Sequence, residues 1–431
     1  MHSRQTFLAL MGSGFLVFGL LFNAATRLPA EHQAKDDGSG PLVSEADIQA
    51  ATKRIKELGA KAQITMDGPK LTEIIIKDGS VITADEPALF GRLFDLKKLQ
   101  IYNCRVLNSE MASQLSGLKQ LTSLALTNTI IDDAAVEMIA KSFPDLTELD
   151  LSSNANMSGQ ILKPISTLKN LQQLTLIQNR LNEIGTRKLS KLQDLRALDL
   201  RGNTQAGDMT LEILADLPKL KSFKHRSTVV SDYGMEQLSR SATLENMLIQ
   251  DFAITNASGK HLAKLKSLSQ LEIFRCQGFG SQGVLALKGL NLQRLTLRDL
   301  PTIDDSALEV LRDLPKLKKL FLHELSGVTD AGLKNLESLV SLELLDIWSI
   351  PRMTDASMDV IAKLPNLKEL TIRSTAVTGE SIDKLLLMPK LQTLVFKENG
   401  AVTEADLKRL ASTKNWTKLD TGLAKSGQGS E

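Results

Sequence analysis

The chain of 431 residues is 42% hydrophobic, which is enough to bury a large core, and its length suggests two or three ordinary domains unless the sequence repeats. Its 52 basic and 50 acidic residues leave a net charge of +2, so bulk charge predicts neither nucleic acid nor an acidic membrane surface as a partner. The two cysteines, Cys104 and Cys276, exclude a disulfide-stapled scaffold and lack the closely spaced ligand pairs of a zinc site.

The first thirty residues follow the plan of an export signal. Arg4 precedes sixteen uncharged residues from 7 to 22, and small residues follow them. The run is shorter than the roughly 20 residues of a spanning helix, although counting it through Ala25 approaches the lower limit. Residues 1–30 are therefore predicted to be a signal peptide or an N-terminal membrane anchor. The chain is expected to be exported, and to be periplasmic, anchored in the cell envelope or secreted.

Three further segments flank the main body of the sequence. Residues 31–43 are polar and contain Gly and Pro, which predicts a flexible linker. Residues 44–70 are predicted to be an N-terminal helical cap, because Ser44 and Asp47 suit a helix start and Gly59 suits its end. Residues 422–431 are predicted to be a disordered tail.

A leucine pattern, L-x-x-L-x-L, recurs every 24 or 25 residues along the rest of the chain. Such self-similarity predicts units of one short strand and one helical return, each of which buries its apolar face only by stacking on its neighbours. In each unit the first, fourth and sixth positions face the core, and the residues between them face outward. The units begin at Leu71, Leu96, Leu121, Leu146, Leu171, Leu195, Leu220, Leu244, Leu268, Leu292, Leu317, Leu342, Leu367, Leu391 and Trp416.

The second half of each unit is predicted to be helical. Thr329 and Thr403 lie where an N-cap belongs, and Thr403 with Asp406 approximates a capping box. The run L-x-x-L-x-L followed by V-T-D-A-G-L resembles the cysteine-containing, ribonuclease-inhibitor-like leucine-rich repeats, which also occur in bacterial exported proteins and F-box substrate receptors. Over residues 71–421 the resemblance implies an α/β solenoid, or horseshoe, of about 14–15 repeats. Its parallel sheet would form the concave face and its helices the convex face.

No F-box sequence precedes these repeats, which disfavours a ubiquitin-ligase receptor of that type. The resemblance is specific for the fold and much less so for the ligand, because binding in such arrays depends on the variable outward residues.

The third residue after the last core leucine of each strand, here called the ladder position, is small and polar in many repeats. A side chain there is expected to satisfy backbone groups at the turn, so both cysteines are predicted to be structural. Between Phe252 and Ile350 this position is apolar except at Cys276, which predicts a local change in curvature or turn conformation. The polar or cysteine-containing ladder positions include Cys104, Asn154, Asn179, Asn203, Cys276 and Asn399.

The sequence contains no recognisable catalytic, metal-binding or cofactor-binding motif, so a non-enzymatic function without a cofactor is predicted. The outward residues of the later repeats are instead rich in basic and aromatic side chains, which commonly anchor interfaces. We predict a concave ligand-binding surface formed by Arg201, Arg226, Phe274, Arg298, Phe321, His323, Trp348, Arg373 and Lys397.

A protein of unknown identity is the expected partner, and an acidic cell-envelope polysaccharide is the alternative. A simpler interpretation is that the basic side chains only pair with nearby acids, namely Glu272, Asp299, Glu324 and Asp346. Membrane contact is expected only through the N-terminal segment if that segment stays attached.

Overall fold

The computed structural model describes residues 43–422, and in this part of the chain a single sheet of sixteen strands follows the order of the sequence. The first two strands pair antiparallel and all later neighbours pair parallel. The predicted signal or anchor, all but the last residue of the predicted linker, and residues 423–431 of the predicted tail lie outside the described residues.

The strands are β1 Ala62–Asp67, β2 Lys70–Ile76, β3 Lys98–Tyr102, β4 Ser123–Thr127, β5 Glu148–Asp150, β6 Gln173–Thr175, β7 Ala197–Asp199, β8 Ser222–Arg226, β9 Asn246–Gln250, β10 Gln270–Phe274, β11 Arg294–Arg298, β12 Lys319–His323, β13 Leu344–Trp348, β14 Glu369–Arg373, β15 Thr393–Lys397 and β16 Lys418–Asp420. The α-helices are α1 Glu45–Leu58, α2 Asp85–Phe90, α3 Ser109–Ser113, α4 Asp133–Ser142, α5 Leu162–Ile165, α6 Glu183–Thr186, α7 Asp208–Ala215, α8 Asp232–Leu238, α9 Ser258–Leu262, α10 Ser281–Leu285, α11 Asp330–Leu333, α12 Asp355–Ile361, α13 Ile382–Leu387 and α14 Glu404–Thr413. Short 3₁₀ helices complete several repeats, at Gly59–Lys61, Gly79–Val81, Gln114–Gly117, Gly159–Ile161, Arg187–Lys191, Asp305–Asp313, Lys334–Ser338 and Gly379–Ser381.

Each repeat buries one face of its strand under its helical return. In the repeat that begins at Leu317, the core positions Leu320 and Leu322 are fully buried, whereas Phe321 and His323 face outward and are partly exposed. Each fully buried leucine contributes about 1.5–3 kcal/mol. Because one hydrophobic core runs from α1 to α14, the predicted leucine-rich-repeat solenoid, with its parallel sheet on the concave face and its helices on the convex face, is confirmed.

The N-terminal end of the solenoid is not wholly helical, which corrects the prediction for residues 44–70. Helix α1 does begin after Ser44, whose hydroxyl accepts a hydrogen bond from the Asp47 amide at 3.0 Å. The chain then forms β1, which pairs antiparallel with β2 through the turn at Gly68. β1 extends the sheet by one strand beyond the first repeat and forms its N-terminal edge.

Asparagines at the ladder position join consecutive turns through their amides. The side-chain Nδ2 of Asn203 donates to the carbonyl oxygens of Leu200 and Leu176, at 2.9 and 2.6 Å. Its Oδ1 accepts from the backbone N–H of Asn179 at 3.0 Å. Asn154, two repeats earlier, makes the equivalent bonds to Leu151, Leu126 and Thr129. The residue just before each ladder position adopts a positive φ in most repeats, which turns the chain out of the strand.

The repeats with apolar ladder positions keep this turn, so the predicted change of turn conformation is wrong. Asp251, Asp299 and Glu324 have φ values of 60°, 50° and 56°, close to the 61° of Ser153, which precedes the polar ladder residue Asn154. The turn amides bond directly to the next strand, as when the Glu324 amide donates to the Trp348 carbonyl at 2.8 Å. The same bond is made beside a polar ladder residue, where the Ser153 amide donates to the Ile177 carbonyl at 2.8 Å, so this turn does not depend on a polar ladder side chain.

The turn departs from this pattern in the repeat that begins at Leu220. Thr228, which the sequence places at the ladder position, is exposed, and Ser227 is buried in its place. The buried ring of His225 lies 3.1 Å through Nδ1 from the Leu200 carbonyl oxygen and 2.8 Å through Nε2 from the Ala206 carbonyl oxygen. A histidine in a core position thus contacts a carbonyl that a ladder asparagine reaches elsewhere.

A second ladder, which we call the Asp–Ser/Thr ladder, links the helix starts. Thr329 caps α11 by accepting from the Ala331 amide, and it donates its own hydroxyl to Asp305 of the preceding repeat at 2.7 Å. Asp330 then accepts from the amide and hydroxyl of Thr354 in the next repeat. The same pair of bonds recurs at Asp133–Ser158, Asp208–Ser231, Asp232–Thr255 and Asp355–Thr378.

Thr403 and Asp406 form the predicted capping box at α14, where each residue bonds to the backbone amide of the other.

Candidate binding surface

The first residue after the last core leucine of each strand faces the concave side, and these residues form one continuous row, here called the outer column. The parallel register places Phe274 beside Arg298, Arg298 beside His323, His323 beside Trp348, and Trp348 beside Arg373. Arg226 and Lys397 continue the column at its two ends, on β8 and β15. Arg201 follows β7 in the same position of its repeat, and Phe321 lies two residues before the outer column on β12.

The aromatic and arginine side chains of the outer column stack on one another. The Arg298 guanidinium lies between two rings, 4.5 Å from the centroid of Phe274 and 5.2 Å from that of Trp348. The Arg373 guanidinium carbon lies 5.5 Å from the centroid of the Trp348 ring. The His323 and Trp348 rings pack edge to face, with their centroids 5.7 Å apart. Cation–π contacts and edge-to-face pairs each contribute about 0.5–1.5 kcal/mol. The stack therefore holds these side chains in fixed positions before any ligand binds.

Each basic side chain of the outer column is paired with an acid. Arg298 bonds to Glu324 at 3.0 Å, Arg373 to Glu398 at 2.7 Å, and His323 Nε2 lies 3.0 Å from Asp346. The remaining pairs are Arg201–Asp199, Arg226–Asp251 and Lys397–Asp420.

Two of these pairs show how the arginines lower the pKa of an acid. Burial opposes ionisation of Asp251, but its hydrogen bonds with Arg275 and Arg226 outweigh that effect and lower its pKa. The hydrogen bonds from Arg373 and Ser374 lower the pKa of Glu398. The outer column is therefore aromatic and ordered, and its positive charges are locally neutralised.

Three of these six acids follow the outer column by one residue, at the turn with positive φ, and two of the three were not among the acids expected to pair. Asp251, Glu324 and Glu398 are such turn residues. Glu324 and Asp346 were among the acids expected to pair, whereas no ion pair is found for Glu272 or Asp299 within residues 43–422. The sequence does contain a signal for these acids, because charged residues recur at this turn through the later repeats.

The ladder residues of the site prediction lie under the turns, away from the concave surface. Asn179 and Asn399 donate to the carbonyls of Leu151 and Ile372 respectively. Cys104 and Cys276 are both buried free thiols. Burial raises the pKa of both, that of Cys276 to about 12, which leaves little thiolate for reaction or metal binding.

Among residues 43–422 no cluster of three or more His, Cys, Asp or Glu side chains is arranged to hold a metal ion. Of the helices described here, none has the length and apolar character needed to cross a membrane.

Comparisons with known proteins identify the fold. No family model matches the chain. Tubulin-specific chaperone E of Mus musculus is 26% identical over 225 residues, which are 43% of this chain and 42% of that protein. The putative RNA-binding protein EEED8.10 of Caenorhabditis elegans is 26% identical over 200 residues, 44% of this chain and 25% of that protein. The chain thus spans less than half the length of the curated relatives it matches.

Two solved structures align with most of the chain. An internalin from Listeria monocytogenes covers 88% of this chain and 96% of its own, with a TM-score of 0.50 and 18% identity. A chain of the yeast Rad7–Elc1 complex covers 89% of this chain and 94% of its own, with a TM-score of 0.53 and 18% identity. These likenesses agree with the leucine-rich-repeat fold, and none of the four proteins carries the name of an enzyme. The ribonuclease-inhibitor-like subclass remains a prediction.

Proposed function

We propose that the chain is a non-enzymatic scaffold that binds another protein on its concave face, in the repeats from Leu195 to Leu391. The single observation that carries the proposal is the stack of Phe274, Arg298, Trp348 and Arg373 in the outer column. Tryptophan and arginine side chains that are already ordered lose little conformational entropy on binding, and they are the usual energetic anchors of protein interfaces.

The ion pairs of the outer column favour a protein over an acidic polysaccharide. A polyanion gains affinity from cations that lack partners, but Arg201, Arg226, Arg298 and Arg373 already contact carboxylates. Binding through these arginines would have to displace intramolecular pairs. An interface anchored by Trp348 would bury apolar area and leave the pairs in place at its rim.

The proposal includes an extracytoplasmic location, supported by the uncharged run from residue 7 to residue 22. Fractionation of cells that express the full chain, with sequencing of the N-terminus of the recovered protein, tests this part. Recovery in the cytoplasm with residues 1–30 intact would contradict it.

The binding surface is tested by affinity capture with the full-length chain from its native cells, comparing wild type with the Trp348→Ala/Arg373→Ala double variant. We expect the wild type to retain a specific protein that the variant loses. The matched control, Tyr233→Ala/Arg240→Ala, removes an exposed aromatic residue and an arginine from the helical side and should retain that protein. Captured protein should also resist a rise in ionic strength that would release a polyanion. Equal capture by wild type and the concave variant would refute the proposal.

A further inference from the structure

Arg294 differs from the other arginines that face the concave side. Within the described chain its guanidinium makes no ion pair or side-chain hydrogen bond, whereas Arg298 and Arg373 each bond to a glutamate. Its guanidinium carbon lies 4.6 Å from the ring centroid of Phe321. Stacking covers one face of the guanidinium and leaves its in-plane N–H groups free. A planar carboxylate is the group that such an edge binds best, through two parallel hydrogen bonds.

Arg294 lies at a depression of about 200 Å³ in the concave sheet, between β8 and β11. Lys224 lines the same depression and has no ion pair among residues 43–422, and neither does Glu272. Two positive charges and one negative charge leave a local charge of +1. The Oδ1 atom of Asn246, which is also in the lining, is buried without a hydrogen-bond partner. The depression therefore holds cations without an acidic partner, whereas the basic side chains of the outer column are committed to ion pairs.

We propose that this depression receives one aspartate or glutamate side chain of the bound protein, whose carboxylate pairs with the edge of Arg294. The inference rests on the proposed function and specifies the chemistry of the partner. Lys224 adds a second cation on the opposite wall, and Glu272 repels further negative charge. The site thus suits a single carboxylate and disfavours phosphoryl groups and polyanions.

The neighbouring surface defines the rest of the motif. The register places Phe321 on β12 beside Thr296 of β11, two residues from Arg294, and the Trp348 stack lies further along the same sheet face. A segment that places its carboxylate at Arg294 therefore meets aromatic rings on one side. We infer that the partner carries an acidic residue close to apolar ones.

The test is selection from a displayed library of random peptides by the immobilised full-length chain. The wild type should enrich peptides with Asp or Glu at one fixed position. Arg294→Gln should remove that preference and weaken binding of a selected acidic peptide about tenfold or more. Arg294→Glu should replace the acidic preference with Lys or Arg at the same position. A purely structural role of Arg294 would not produce such a reversal.

The control is Arg312→Gln, which removes an exposed arginine from the helical side of the solenoid and should leave the preference unchanged. An acidic preference that survives Arg294→Gln, or selected peptides without an acidic position, would overturn the carboxylate inference while leaving the concave scaffold intact. Selected peptides that bind the Trp348→Ala/Arg373→Ala variant as well as wild type would instead count against the proposed function. Failure of the wild type to enrich any peptide would overturn the inference.

Discussion

Replacing Asp330 with alanine tests the Asp–Ser/Thr ladder at one of its strongest links. The Asp330 carboxylate accepts from the Thr354 amide at 2.9 Å, from the Thr354 hydroxyl at 2.6 Å, and from the Ser357 hydroxyl. All three donors belong to the next repeat. The substitution therefore removes contacts between repeats and leaves the apolar core unchanged.

The expected loss follows from the number and exposure of these bonds. A hydrogen bond to a charged group contributes about 1.5–3 kcal/mol when well formed, but three bonds share one partly exposed carboxylate and do not add fully. We expect Asp330→Ala to lower the free energy of unfolding of the surrounding repeats by about 2–3 kcal/mol.

The effect should depend on pH in a defined direction. Burial opposes ionisation of Asp330, but the hydrogen bonds from Ser357 and Thr354 outweigh it and hold its pKa below the ordinary aspartate value. A lowered pKa contributes stability above the unfolded pKa, and this stability is lost as the pH falls through the folded one. The difference between wild type and variant should be complete above about pH 5 and shrink below about pH 4.

Urea unfolding monitored by circular dichroism and hydrogen exchange of the segment from residue 350 to 361 measure this change globally and locally. The control is Asp359→Ala, which removes an exposed carboxylate paired with Lys384 and should cost less than about 0.5 kcal/mol. Equal urea midpoints and equal exchange for the two variants would show that the ladder does not stabilise the repeat junction.

Further outcomes follow from other buried features. Burial lowers the pKa of His225, so the free energy of unfolding should fall as the pH drops from 7 to 5. His225→Gln should flatten that dependence, and parallel pH profiles for variant and wild type would contradict this. A Cβ at Gly332 would lie 2.5 Å from Asp305 Oδ1 and 2.8 Å from its Cα, so Gly332→Ala should cost about 1–3 kcal/mol in thermal or urea unfolding; an unchanged midpoint would exclude this packing. Cys104 and Cys276 should react with a chromogenic disulfide reagent only after denaturation, and rapid labelling of the native chain would show that they are accessible.

The repeat pattern predicted the core of this fold well, because leucine spacing reports directly on burial. Leu320 and Leu322 face the core as their positions in the repeat require, and Thr329 and Thr403 cap the helices expected of them. These features depend on residues within one repeat, so they can be predicted from the sequence of that repeat.

Features that depend on neighbouring repeats were harder to predict. The antiparallel strand β1 is held by its pairing with β2, and most of its residues are exposed, so its own hydrophobic pattern did not reveal it. Thr329 was expected to cap its own helix, but its bond to Asp305 joins residues 24 apart. The pairing of Arg298 with Glu324 similarly depends on a turn that directs the acid toward the concave side.

The displaced turn at His225 separates two neighbouring stretches of the solenoid whose turns are joined differently. Before it, the asparagine amides of Asn154, Asn179 and Asn203 tie consecutive turns together. In the repeats that follow, from Phe252 to Ile350, consecutive turns are joined by backbone hydrogen bonds and apolar packing. In a linear array each repeat is stabilised only by its immediate neighbours, so cooperativity passes from one stretch to the other through this single junction. The Asp208–Ser231 and Asp232–Thr255 bonds carry the Asp–Ser/Thr ladder across this junction, so the helical side keeps the two stretches coupled.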